Sequence, residues 1–521
     1  MKTSSYLLKL AIPLFLGLFS CTKKPERPNI ILFLADDMGY GDPQCYVSGS
    51  KVPTPNIDKL AREGVRFTDA HSPASVCSPT RYAILTGRYA WRTSYLKIGV
   101  LGPYNSPLIE PQSLTIPAML KETGYSTACI GKWHLGMQWA TKNNAVLPKP
   151  REPFDPSQID HTKEITAGPM TAGFDYYFGV DVPNYPPYCF IEDNKLIGTP
   201  SIPKPDTIFG DPGLMLPGWK LVDILPTLAK KAVSYIDNFA KSKRDKPFFL
   251  YFASTAPHTP IVPAKEFQGR SGAGPYGDLV HQTDFTLGEI MKALERNGLR
   301  KNTLVIFTSD NGSPGRAGDR HLNGTDFHDL GSVITKFNHN PNAPWRGMKA
   351  DLWEGGHRVP FVVSWPGEFP ENSISGEPIC AVDIMASIAK IVNYKLPQDA
   401  AEDSYDISGL FLGENLGIEA GQEPVREALI HHSMDGSFAI RKGKWKMIPS
   451  LGSRGWTIPR SVDAEGSEIK GQLYDMEKDP EEKDNLWMEH PEVTEELNTL
   501  LEKYKSDGRS APLQKELKAR S

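Results

Sequence analysis

The sequence predicts an α/β fold with a mainly parallel central sheet and a smaller C-terminal α+β subdomain. Continuous apolar runs, such as Asn29 to Ala35, are typical of parallel strands that are buried on both faces. These runs alternate with helical patterns, and that alternation indicates an α/β fold. Several polar motifs directly follow a strand. Because ligands of open α/β sheets bind at the carboxyl ends of strands, we expect these motifs to converge.

Length and composition narrow the class of protein. The chain has 521 residues, which is too long for one compact core and favours a large domain plus a smaller one. An apolar content of 39% with 10% aromatics indicates a globular protein. The formal net charge is −4, from 58 basic and 62 acidic residues. Without a basic surplus, we expect no nucleic-acid partner.

The N-terminus predicts export. An apolar run from Leu10 to Ser20 is too short to span a bilayer and has the length of a signal-peptide core. It ends at Cys21 in the string L-F-S-C, which resembles a bacterial lipobox. We therefore expect residues 1–21 to be a lipoprotein-type signal, with an ordinary secretory signal as the alternative. The protein would be periplasmic or anchored to the outer membrane, touching lipid only through that anchor.

The larger domain is expected to span residues 28–422. Residues 54–64 predict a capped amphipathic helix with Pro55 in its first turn and a stop at Gly64. Pro79 is suited to the first turn of a helix beginning near Cys77. Residues 140–220 are crowded with Pro, Tyr and Gly and predict loops. We expect strands over 28–35, 65–68, 125–130, 247–253, 303–309 and 361–365, and further helices over 113–124, 221–241 and 276–297.

The smaller domain is expected to span residues 423–521. A Gly- and Glu-rich stretch at 414–423 marks the change in character. Beyond it, 438–441 and 444–448 alternate as hairpin strands around Lys442 and Gly443. A short strand at 472–475 and a helix at 491–504 complete a small antiparallel sheet with one helix.

Two pairs of oxygen-bearing side chains follow predicted strands. Asp36 and Asp37 end the first strand, and Asp310 and Asn311 follow the strand at 303–309. Neighbours on a regular strand point to opposite faces, so Asp36 and Asp37 can meet one ion only if the strand ends there. Oxygen-only ligands select hard cations such as calcium or magnesium. Each pair taken alone is equally typical of a turn.

One stretch carries a family resemblance. Residues 77–88 read C-S-P-T-R-Y-A-I-L-T-G-R, which resembles the sulfatase signature C-x-P-x-R followed by L-T-G-R. Matching strings are G-K-W-H-L-G at 131–136, T-A-P-H-T-P at 255–260, and R-G-M-K at 346–349. The resemblance extends from Pro28 to about Leu486. It implies an alkaline-phosphatase-like sandwich whose C-terminal subdomain carries a small antiparallel sheet.

The resemblance also implies a modified cysteine. A formylglycine-generating enzyme would oxidise Cys77 to formylglycine, whose hydrate attacks sulfur and later expels sulfate by losing a proton from its second oxygen. The implied ligands of one divalent ion, usually calcium with magnesium as the alternative, are Asp36, Asp37, Cys77, Asp310 and Asn311.

Further roles follow from the same resemblance. Lys132 and Lys349 would bind the sulfate oxygens, and Arg81 would place a fixed positive charge near the nucleophile. His134 would take the proton of the formylglycine hydrate, and His258 would protonate the leaving alcohol. Imidazole suits both tasks because its pKa lies near neutrality.

The substrate is less well specified. A lipobox beside a sulfatase core is similar to the carbohydrate sulfatases of glycan-degrading bacteria, and we expect a galactose- or N-acetylgalactosamine-type sulfate. The loop 181–188 offers aromatic side chains that could stack on a sugar, or it is only a rigid Pro-rich loop. The alternatives are a phosphonate or phosphate ester hydrolase of the same superfamily, and a non-catalytic glycan-binding lipoprotein in which Cys77 is never converted.

Overall fold

The computed structural model describes residues 27–242, 246–318, 331–414 and 424–513. The predicted signal segment 1–21 and nearly all of the predicted boundary at 414–423 lie outside these ranges. Within the described part of the chain, no helix has both the length and the apolar character needed to cross a bilayer.

The strands agree closely with the apolar runs of the sequence, with additional short strands between them. They are β1 (Asn29–Asp36), β2 (Val65–Phe67), β3 (Ala70–His71), β4 (Ser126–Lys132), β5 (Tyr176–Val180), β6 (Ile191–Glu192), β7 (Lys195–Leu196), β8 (Ile202–Pro203), β9 (Leu214–Met215), β10 (Phe248–Pro257), β11 (Thr303–Ser309), β12 (Phe361–Ser364), β13 (Ser373–Ser375), β14 (Ile379–Cys380), β15 (Leu429–His432), β16 (Phe438–Lys442), β17 (Trp445–Ile448) and β18 (Gln472–Asp475).

The helices include every one that the sequence predicts and some that it does not. They are α1 (Pro55–Arg62), α2 (Cys77–Thr86), α3 (Ile116–Glu122), α4 (Ile224–Ser242), α5 (Gly274–Arg296), α6 (Val333–Phe337), α7 (Glu354–His357), α8 (Ile384–Ile391), α9 (Ser408–Phe411) and α10 (Pro491–Ser506).

A 10-stranded sheet organises the larger part of the molecule, in the order β13-β2-β12-β11-β1-β10-β4-β5-β6-β7. The central strands β11, β1, β10, β4 and β5 are all parallel to one another. Antiparallel pairing begins at β12 on one side and at β6 on the other. The predicted mainly parallel α/β sheet is thus confirmed.

Helices cover both faces of this sheet, which makes three layers. Along β1, Ile30, Leu32 and Leu34 pack with apolar residues of α2, α3 and α8. The alternate residues Ile31 and Phe33 pack on the other face with α1, α4 and α5. Because successive strand residues point to opposite faces, an apolar run is required where both faces are covered.

The C-terminal residues form the expected small antiparallel sheet, in the order β15-β16-β17-β18. Helix α10 packs Leu497 and Leu501 against Ile440 of β16 and Met447 of β17. This sheet also contacts the segment before α2, since Ser75 donates its N–H to the carbonyl oxygen of His432 at 3.0 Å. The C-terminal sheet therefore supports the loop that carries Cys77.

Candidate active site

The register of the parallel strands delivers the polar motifs to one edge. Leu34 of β1 lies beside Thr308 of β11 and Ala253 of β10, and Ala253 lies beside Gly131 of β4. The residues that follow these positions therefore emerge together at the carboxyl end of the sheet. β1 ends at Asp36, as a shared site for the two neighbouring aspartates requires. Asp37 has a φ of 69°, a left-handed conformation that turns the chain there.

Cys77 lies at the N-terminus of α2, behind the extended residue Val76. Its side chain is buried, and its Sγ is 3.3 Å from Nζ of Lys349. Burial raises the pKa of the Cys77 thiol to about 11, although Lys132 and Lys349 oppose this rise. The thiol is therefore protonated at neutral pH and is not an activated thiolate.

The buried carboxylates are paired with buried lysines. Asp36 accepts hydrogen bonds from Nζ of Lys132 on both oxygens, at 3.0 and 2.9 Å. Oδ1 of Asp37 accepts from Nζ of Lys349 and from Nδ2 of Asn311, each at 2.6 Å. The two lysines expected to bind sulfate therefore lie directly beside the expected metal ligands.

Arg81 contacts these carboxylates and is fully buried. Its Nε and Nη2 donate to Oδ2 of Asp310 at 3.1 and 2.7 Å, and Nη2 is 3.2 Å from Oδ1 of Asp36. The sequence led us to expect a charge near the nucleophile, and the structure pairs that charge with Asp310 and Asp36. The aspartates 36, 37 and 310 are thereby matched by an equal number of basic groups, on Arg81, Lys132 and Lys349.

The carboxyl groups of Asp36 and Asp310 differ in how readily they ionise. Burial opposes ionisation of Asp36, but Lys132 holds the pKa of its carboxyl group well below the usual value. Burial, with the adjacent charge of Asp36, raises the pKa of Asp310 to about 7. The basic side chains therefore do not fully stabilise the ionised form of Asp310, and a further cation in the site would favour it.

The same residues fit a divalent cation. Oδ1 of Asn311 is buried and has no hydrogen-bond partner within the described ranges. Ligand atoms of Asp36, Asp37, Cys77 and His258 all lie within 4.8 Å of one another. The carboxylate and amide oxygens among these donors suit a hard cation such as calcium or magnesium. A buried amide oxygen without a partner is a costly feature that a bound ion would relieve.

The two histidines approach the site from different strands. Nε2 of His258 is 3.8 Å from Oδ2 of Asp37, and its Nδ1 is 2.5 Å from the carbonyl oxygen of Thr259. Burial, helped by Lys132, lowers the pKa of His258 to about 4, so its imidazole is neutral at pH 7.

His134 is held by its other nitrogen. It has a φ of 53°, and its Nε2 lies 3.0 Å from the carbonyl oxygen of Leu101, to which it donates. Nδ1 is then the unprotonated nitrogen; it is buried and has no partner in the described part of the chain. Burial lowers the pKa of His134 well below its usual value. The neutral ring therefore presents a free acceptor, as a proton-accepting role would require.

The structure adds a residue that sequence reasoning missed. Asp181 follows β5, and its Oδ1 accepts the main-chain N–H of His134 at 3.1 Å. Burial raises the pKa of Asp181 to about 6. The ring of Tyr185, four residues on, meets the His134 ring edge-on with centroids 5.8 Å apart. The available signal was the run Tyr177 to Val180 before an aspartate, the same strand-then-carboxylate pattern used elsewhere in the chain.

Comparison with known proteins gives a consistent result. A family model described as Sulfatase matches residues 28–394. An N-acetylgalactosamine-6-O-sulfatase of Bacteroides thetaiotaomicron is 34% identical over 97% of this chain and 100% of its own length. Human arylsulfatase A is 31% identical over 91% of this chain and 86% of its own length.

Solved structures show the same fold. A sulfatase from work on the metabolism of multiple glycosaminoglycans by Bacteroides thetaiotaomicron superposes with a TM-score of 0.76. It is 33% identical, and the match covers 92% of this chain and 99% of that one. A Pseudoalteromonas sulfatase matches with a TM-score of 0.66 at 24% identity, covering 94% and 92%, which shows the fold alone.

Proposed function

This chain belongs to the sulfatase family and is a sulfuric ester hydrolase, and we propose that it removes O-sulfate from a carbohydrate of galactose or N-acetylgalactosamine type. The observation that carries the proposal is that separate loops, among them those with Asp36 and Lys349, converge on Cys77. The sugar is suggested by the bacterial relative that acts on N-acetylgalactosamine 6-O-sulfate.

A modified Cys77 and a divalent cation would supply the nucleophile and the Lewis acid. Formylglycine derived from Cys77 would provide a hydrated aldehyde, and a divalent cation, calcium or magnesium, would polarise the sulfate. Asp36, Asp37, Asp310 and Asn311 would hold the cation together with the modified side chain at position 77. The buried thiol supports this assignment, since in its protonated state it is a poor nucleophile by itself.

The remaining side chains would bind the sulfate and move protons. Lys132 and Lys349 would donate to sulfate oxygens from a buried position, where their charges are weakly screened by water. Arg81 would keep the carboxylates of Asp36 and Asp310 oriented. His134 would accept a proton on its free Nδ1. His258 would donate a proton to the leaving alcohol, since a bound anionic ester would favour its protonated form.

Processing and location complete the proposal. A formylglycine-generating enzyme would convert Cys77 before the protein acts. Export through the segment 1–21, with lipid attached at Cys21, would place the enzyme in the periplasm or on the outer membrane. Globomycin-sensitive cleavage and palmitate labelling of the natively produced protein would test the anchor.

The central experiment combines modification and turnover. Protein made with a formylglycine-generating enzyme should release sulfate from N-acetylgalactosamine 6-sulfate or galactose 6-sulfate, and mass spectrometry should find formylglycine at position 77. Cys77→Ala should lose turnover by about a thousandfold or more, as loss of a covalent nucleophile does. Turnover of an aryl phosphonate in preference to the sulfate esters would instead support the phosphonate or phosphate ester hydrolase. Full activity of Cys77→Ala would refute the nucleophile, and a thiol at position 77 in active protein would refute the modification.

A further inference from the structure

A cleft of about 620 Å³ is lined by Gly347 and Met348, which directly precede Lys349 of the candidate active site, and also by Trp456 and Arg460. This volume is in the range of sites that bind small ligands. Among the described residues, the cleft lining includes Arg316, Arg346 and Arg460 and no aspartate or glutamate. Its charge is therefore positive, which favours an anionic ligand.

The cleft shares a wall with the proposed sulfate site. Gly347 and Met348 directly precede Lys349, whose Nζ is 3.3 Å from Sγ of Cys77. The main-chain N–H of Lys349 donates to the carbonyl oxygen of Ser313 at 3.1 Å. Asn342, another cleft residue, bonds both the N–H and the carbonyl of Ser313 at 2.8 Å. We therefore expect the sugar whose sulfate is bound by Lys349 to extend towards this cleft.

The opposite wall is fixed to the same segment through Asp351. Oδ1 of this buried carboxylate accepts the N–H groups of Trp456 at 2.7 Å and Thr457 at 3.1 Å. Its Oδ2 accepts the N–H of Met348 at 2.9 Å. At Gly455 an added Cβ would lie 2.3 Å from the main chain of Ala350, so this close approach requires glycine. The C-terminal loop is therefore held at a defined distance from residues 347–349.

The arginines of the cleft differ in whether their guanidinium groups are free to bind a ligand. Arg346 stacks over Trp353, 3.6 Å from the ring centroid, and donates to the carbonyl oxygen of Glu482. Arg316 and Arg460 are exposed, and neither forms an ion pair with the described residues. A guanidinium presents paired donors that match a carboxylate or sulfate. Trp456, partly exposed between them, offers a flat surface of the kind that sugar rings stack on.

We propose that this cleft binds an anionic group, either a uronate carboxylate or a second sulfate, on the sugar next to the one that loses its sulfate. Arg316 and Arg460 pair with the negative charge, and Trp456 packs against the ring that carries it. The inference rests on the proposed function and extends it, because it makes the preferred substrate a multiply charged oligosaccharide and not a singly sulfated sugar.

The test compares four probes with the mature, full-length enzyme. They are the 6-sulfated monosaccharide and disaccharides in which its neighbour is neutral, a uronate, or sulfated. We expect wild-type kcat/KM to be about tenfold higher for at least one charged disaccharide than for the neutral one. Arg316→Gln and Arg460→Gln should each remove most of that advantage through KM, and leave the monosaccharide rate within about twofold. Arg270→Gln is the matched control, an exposed arginine outside the cleft.

Each outcome supports or overturns either the cleft assignment or the proposed function. Preference for the uronate or for the second sulfate identifies which anion the cleft takes. Equal rates on neutral and charged disaccharides, or equal losses on all four probes in the arginine variants, would overturn the cleft assignment while the proposed function stands. Absence of sulfate release from every probe by the formylglycine-containing wild type would instead overturn the proposed function.

Discussion

His258 is placed by local contacts that define its hydrogen-bonding state. Its Nδ1 faces the carbonyl oxygen of Thr259, so Nδ1 carries the proton of the neutral ring and Nε2 faces the carboxylate of Asp37. Nε2 is therefore the nitrogen that would carry a transferable proton when an anionic ester is bound. This arrangement suits protonation of a leaving oxygen and not the attack step.

We expect His258→Gln to affect poor leaving groups most. Turnover of a sugar sulfate should fall by about a hundredfold or more, whereas a nitrophenyl sulfate should lose far less, because an acidic phenol departs without protonation. Steady-state rates on the two esters measure the difference. His490→Gln, at a partly exposed site just before α10, is the control. A loss of equal size on both esters would exclude the general-acid role.

At the scale of residues, the sequence grouped side chains that the structure brings together, but it did not indicate how they pair. The strings around Cys77, Lys132, His258 and Lys349 were sufficient to group these side chains. Nothing local indicated that Arg81 would contact Asp310, because those residues are distant in the chain and meet only through the sheet. Roles for all of these residues stay predictions until variants are measured.

At the scale of elements, β5 shows where sequence reasoning failed. Its residues Tyr176–Val180 lie in a stretch of Pro, Tyr and Gly that predicts loops, and the strand exists because it pairs in parallel with β4. Such non-local pairing overrides a weak local pattern. Helix α8 was also missed, since Ile384–Ile391 is a short and mostly apolar run. The longer apolar strands β1, β10 and β11 were predicted correctly because each is buried on both faces.

The position of β5 leads to a prediction for Asp181. Its carboxylate holds the main-chain N–H of His134, so Asp181→Ala should lower kcat by about tenfold with little change in KM. Asp181→Asn keeps an acceptor oxygen and should retain most of the activity. Kinetics and melting temperatures of both variants are the measurements. If Asn is as harmful as Ala, the charge of Asp181 matters and not its hydrogen bond.

At the scale of the whole molecule, the C-terminal sheet contacts the segment that precedes Cys77. His431 of β15 donates from Nδ1 to the carbonyl oxygen of Ser72. The main-chain carbonyl oxygen of His432 accepts the N–H of Ser75. The rings of His431 in β15 and His357 in α7 stack with centroids 3.9 Å apart. The boundary at 422 and 423 stays a prediction, since residues 415–423 are not described.

The buried imidazole of His432 predicts that the protein loses stability in acid. Burial lowers the pKa of His432 to about 4, below the unfolded value of 6.5. The unfolded chain therefore binds more protons than the folded one between these values, and the free energy of unfolding falls as the pH drops through this window. The melting temperature should decrease from pH 7 to pH 5, and His432→Gln should weaken that slope. A slope unchanged in the variant would show that His432 does not contribute.

The even match of acidic and basic groups at the edge of the sheet has a thermodynamic consequence. With Asp36, Asp37 and Asp310 balanced by Arg81, Lys132 and Lys349, the polypeptide by itself offers an incoming anion little net attraction. A divalent ion would leave the pocket with surplus positive charge, which the negatively charged ester would then offset. Metal and ester are thus reciprocal effectors: whatever factor the one adds to the affinity of the other, it receives in return.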